Sequence, residues 1–75
     1  MRIGDYGNYI SFMDGEIIRQ QTVQLVSENQ TEYRFEIESD ENYHLTVSKK
    51  VGFDHTWKTG ENGNITRRTI IEPLK

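Results

Sequence analysis

Cysteine is absent from these 75 residues, proline occurs once, and apolar residues never run together for more than a short stretch. Without cysteine there are no thiol nucleophiles, disulfides, zinc ribbons or iron–sulfur clusters, and a reducing compartment fits better than secretion. The N-terminal stretch Met1-Arg2-Ile3-Gly4-Asp5-Tyr6-Gly7 has no signal-peptide core, and no segment approaches the ~20 apolar residues of a spanning helix. The expectation is a soluble, cytoplasmic protein with no membrane partner. Repeats, low-complexity tracts and linkers are missing as well, so residues 1–75 read as a single domain. A domain of this size has a thin core, because folding costs roughly 1.5 kcal/mol of chain entropy per ordered residue.

The ingredients of catalysis and of cofactor binding are also scarce. The two histidines, His44 and His55, have no metal-ligand spacing between them or toward the carboxylates. The run Glu38-Ser39-Asp40-Glu41-Asn42 reads as a turn rather than a calcium loop. Ser11, Ser27, Ser39 and Ser48 lack a nucleophile-elbow context, and His44 falls on the polar side of an alternating segment with no residue nearby to orient it. Gly60 and Gly63 precede no helical pattern, so they do not form a phosphate loop. Asn29-Gln30-Thr31 and Asn64-Ile65-Thr66 match the glycosylation triplet, which matters only on a secreted chain. The expectation is a protein with no cofactor, no metal and no enzymatic activity.

What the chain does have is alternation. Tyr33, Phe35 and Ile37 alternate with Glu32, Arg34, Glu36 and Glu38, the signature of a strand with one buried and one wet face. After the Ser39-Asp40-Glu41-Asn42 break, Tyr43, Leu45 and Val47 alternate with His44, Thr46 and Ser48, which completes a hairpin. Residues 55–59 and 65–71 flank Gly60-Glu61-Asn62-Gly63-Asn64 as a second hairpin, and 9–13 and 16–19 flank Asp14-Gly15, a dipeptide suited to a type I′ turn, as a third. Residues 16–27 admit two readings. Ile17, Ile18, Gln21 and Leu25 share a helical face behind a capping Asp14, but Thr22-Val23-Gln24-Leu25-Val26 alternates and is rich in β-branched residues, which favours strand. The prediction is an all-β antiparallel meander of five or six strands. It forms a closed or half-open barrel of SH3-like or OB-like size, or a small sandwich; the alternative is α+β with one helix near 16–27.

The net charge of −3 is unevenly spread. Residues 1–42 carry three basic and nine acidic side chains, a balance of −6, whereas residues 43–75 carry six basic and three acidic ones, a balance of +3. Glu32, Arg34, Glu36, Glu38, Asp40 and Glu41 form an acidic stripe. Its plain reading is a solvated face that keeps a β protein from aggregating, and its sharper reading is a docking surface for a basic partner. Lys49, Lys50, His55, Trp57, Lys58, Arg67 and Arg68 mix cations with aromatics, as single-stranded nucleic-acid sites do, although Phe53 and Trp57 are more simply read as core residues in a chain this short of apolar material. The leading expectation is a protein-interaction module (adaptor, regulator or small inhibitor) docking through the acidic stripe. The alternative is a small nucleic-acid-binding β-barrel that uses the basic half. The opposite signs of the halves also allow pairing into a homo-oligomer, and the polar β-rich composition suits a phage or mobile-element accessory protein.

Overall fold

The computed structural model describes residues 1–74, apart from the side chain of Glu41. Six strands follow in order: β1 (Tyr6–Met13), β2 (Glu16–Glu28), β3 (Glu32–Ile37), β4 (Asp40–Ser48), β5 (Asp54–Thr59) and β6 (Ile65–Pro73). All pairings are antiparallel, in one sheet of order β4-β3-β2-β1-β6-β5 that curls into a half-barrel. Among the described residues there is no helix, and so none long and apolar enough to cross a membrane. The all-β reading holds, and of its three shapes the half-open one is found. The helix alternative over 16–27 does not form: that segment is a single strand, β2.

The turns follow from their residues. Asp14 and Gly15 both take positive φ, 50° and 84°, between the paired Met13 and Glu16, as a two-residue primed turn requires. The Asp14 carboxylate also accepts the Thr66 amide at 2.9 Å, which ties this hairpin to β6. Between β2 and β3, Asn29 Oδ1 accepts the amides of Thr31 and Glu32. The β3–β4 turn is tighter than expected. Glu38 and Ser39 alone make it, and Asp40, Glu41 and Asn42, expected in the turn, begin β4 instead. The ladder absorbs the extra length as an irregularity, passing from Glu36–His44 to Ile37–Asp40.

Directly opposed residues share a face, so the registers assign the inner side of the half-barrel. Tyr9, Val23, Leu25, Tyr33, Phe35, Ile37, Leu45, Val47 and Ile71 point inward. The core follows from this assignment: Val23, Leu25 and Phe35 have no exposed surface, and Ile37 and Ile71 are nearly as deep. Phe53 packs against this cluster with Tyr33, their ring centroids 4.8 Å apart. Tyr43, which the alternation groups with Leu45 and Val47, is half exposed because it lies at the β4 irregularity. Gly7 lies where β1 passes close to β6. A Cβ there would come within 2.9 Å of Ile71 Cγ2 and 3.2 Å of the Glu72 carbonyl oxygen.

Candidate functional site

The half-barrel is open between its two edge strands. β4 pairs only with β3, and β5 pairs only with β6. Across the opening lies a groove of about 230 Å³ walled by Tyr9, Leu45, Val47, Val51, Phe53 and Ile71, with His55 and Thr69 on the β5 side. Its apolar walls come from β4 (Leu45, Val47), the β4–β5 connection (Val51, Phe53), β1 (Tyr9) and β6 (Ile71), so of the two edge strands only β4 contributes apolar side chains.

The hydrogen-bond phase of β4 follows from one contact. The Lys49 amide donates to the Thr31 carbonyl at 2.9 Å, which makes Thr31–Lys49 a bonded pair. Bonded pairs alternate along an antiparallel ladder, so Tyr33–Val47 and Phe35–Leu45 bond to each other across the strands, whereas His44 and Thr46 turn their N–H and C=O groups away from β3. Natural edges are blunted with lysine, proline, bulges or shortness. The β4 irregularity protects the start of this edge, but His44–Ser48 contains neither lysine nor proline.

The acidic set sits beside this edge. Glu32, Arg34 and Glu36 lie on the outer face of β3, Glu38 is in the following turn and Asp40 opens β4, all exposed or half-exposed. The Glu41 side chain lies outside the described residues. Two side chains of β4 and the following connection approach carboxylates here: His44 Nε2 lies 3.6 Å from Glu36 Oε1, and Lys49 Nζ 3.5 Å from Oε2 of Glu28, which is outside the stripe. His44 therefore does have a partner, contrary to the sequence expectation, because the register sets it directly opposite Glu36.

The seven basic and aromatic nominees do not form one surface. His55, Trp57 and Arg67 share the inner face, whereas Lys58 and Arg68 are on the outer one. Lys49 and Lys50 belong to the β4–β5 connection. Lys49 is engaged by Glu28 and lies 4.9 Å from the Tyr33 ring centroid. Arg68 forks onto Asp54, with Nε 2.9 Å from Oδ1 and a second nitrogen 2.7 Å from Oδ2, and also covers the Phe12 ring. This fork holds the Asp54 carboxyl below its ordinary value and raises that of Arg68.

Below the apolar core the inner face becomes polar. Registers align His55, Thr69, Ser11 and Arg19 in one row across four strands, with Trp57 opposite Arg67 in the adjacent row. Ser11 is only 3% exposed. His55 and Trp57 stack at 4.9 Å with planes 17° apart, Arg67 lies 5.7 Å from the Trp57 centroid, and Arg19 lies 5.6 Å from that of Tyr43. Two buried atoms on this face, Arg67 Nε and Gln21 Oε1, have no hydrogen-bond partner among the described residues. Sequence reading missed Arg19, Gln21 and Tyr43, whose approach to this face depends on the sheet order. Among the described residues no three potential metal ligands come together. Comparison with protein families, curated proteins and solved structures finds no match to this chain.

Proposed function

We propose that the chain is a non-enzymatic protein-interaction module, an adaptor, regulator or small inhibitor of a reducing compartment such as the cytoplasm. In this reading an extended segment of a partner protein adds to β4 as a further strand, and the acidic face of β3 selects basic residues on that segment. The observation that carries the reading is the outward phase of the His44 and Thr46 backbone groups on an edge that borders an apolar groove. Strand addition uses just these elements: main-chain bonds supply affinity, and alternate side chains enter a pocket and supply specificity. Leu45 and Val47 wall the groove from β4, so every second residue of an added strand meets them and Phe53. The other residues lie toward Glu32 and Glu36 on the outer face, where lysine or arginine gains the most.

The nucleic-acid reading has weaker support, since its cations are divided between two faces and two of them already hold carboxylates. Capture of partners from the native host, with wild-type protein and two variants side by side, tests the proposal. Thr46→Pro removes an outward N–H and obstructs strand addition, and Glu32→Lys with Glu36→Lys reverses the selecting charge. The expected result is one partner retained by wild type and lost by both variants, its bound segment alternating apolar and basic residues. Retention of that partner by both variants contradicts the reading.

A further inference from the structure

The Arg67 guanidinium lies half-buried on the inner face with no carboxylate within 4.0 Å among the described residues. Its Nε is sealed from solvent and has no hydrogen-bond partner among the described residues. Both are costly in a small domain, because a buried donor without an acceptor carries its full desolvation penalty and a desolvated cation needs an anion. The Trp57 ring face offsets part of this by cation–π attraction, but it supplies no acceptor. The surroundings suit a ligand. Thr69 and His55 are the inner-face neighbours of Arg67 and Trp57 along β6 and β5. Arg19, also without a carboxylate partner among the described residues, holds the far end of the polar row beside Tyr43.

We infer that Arg67, with Trp57, His55 and Thr69, forms a binding site for an oxyanion carried on a flat ring, an aromatic carboxylate or an aryl phosphate. The guanidinium fork matches two oxygens of either group, and its position against Trp57 leaves it fixed in orientation. The stacked rings of His55 and Trp57 supply the apolar, polarizable wall against which a ligand ring settles. This site is centred on β5 and β6 rather than on the β4 edge; it shares His55 and Thr69 with the groove, but its test needs no partner segment.

Trp57 is the single tryptophan, so its fluorescence reports on this site alone. The intact protein is titrated with benzoate, phenyl phosphate and inorganic phosphate. Benzoate and phenyl phosphate decide between a carboxylate and a phosphate, and inorganic phosphate measures what the ring adds. The expected result is a saturable change with at least one ring-bearing anion, at lower concentration than with inorganic phosphate. Arg67→Gln is expected to weaken this binding by about tenfold or more, since a charged fork is lost. Arg67→Lys, which keeps the charge and less of the geometry, is expected to fall between the two. Thermal melts establish that both variants are folded. An unchanged Trp57 spectrum with all three probes, or equal affinity in wild type and a folded Arg67→Gln, overturns the inference.

Discussion

Phe35 has no exposed surface and meets Tyr33 and Phe53 at ring-centroid distances of 6.5 and 6.1 Å. Few other side chains are as deep, so its loss cannot be absorbed by neighbours. Phe35→Ala is expected to cost about 3–5 kcal/mol, enough to bring a domain of this size close to unfolding, as read by urea denaturation. Gly7→Ala tests close approach rather than cavity formation. The added methyl meets Ile71 and the Glu72 carbonyl, with an expected loss of about 1–3 kcal/mol by the same assay. Asp54 makes a statement about acid. Its hydrogen bonds from Arg68 lower its folded-state pKa, so the unfolded chain takes up this proton more readily than the folded one. The stabilisation is complete above the ordinary value of 3.8 and disappears as pH falls through the lower folded value. Melting wild type and Asp54→Asn from about pH 6 down to about pH 2 is expected to show a small gap that closes in the acid range.

Among the elements, β4 has two phases of backbone, and they predict opposite outcomes for one kind of substitution. Thr46→Pro removes an N–H that faces outward, and a proline is tolerated there as on other edges. Val47→Pro removes an N–H bonded to Tyr33 and is expected to destabilise by about 2 kcal/mol or more. Equal stability of the two variants contradicts the assigned phase. β3 was legible in the sequence because its alternation runs unbroken from Tyr33 to Ile37, and the β1–β2 turn because Asp14-Gly15 suits a single turn type. β2 was legible as strand only in preference to a helix. The ladder shifts between Ser11–Arg19 and Phe12–Ile17, so Ile18 has no partner and the parity of the apolar residues changes midway. The same local effect placed Asp40 in a turn and Tyr43 in the core, since periodicity reports neither the length of a turn nor a bulge. The His44–Glu36 pair and the Trp57–Arg67 pair are cross-strand contacts, visible only once register is known.

For the molecule as a whole, the order β4-β3-β2-β1-β6-β5 separates the acidic β3 from the arginine-bearing β6 by two strands, and leaves the fourth strand and the fifth as open edges. Which strands are edges is a property of the closed pattern of pairings, and no local run of residues announces it. The acidic face of β3 then lies one strand from the open edge, which is where a basic partner segment would gain both main-chain bonds and charge. Association with the captured partner is therefore expected to slow as salt rises, with the on-rate more affected than the off-rate, by stopped-flow or surface-based kinetics. Amide hydrogen exchange along β4, in the free protein and in the complex, is the most direct measurement of the central claim. In the free protein Leu45 and Val47 are expected to be protected while His44 and Thr46 exchange quickly, and in the complex His44 and Thr46 become protected as well. Exchange at His44 and Thr46 that is already slow in the free protein, or that stays fast in the complex, contradicts it.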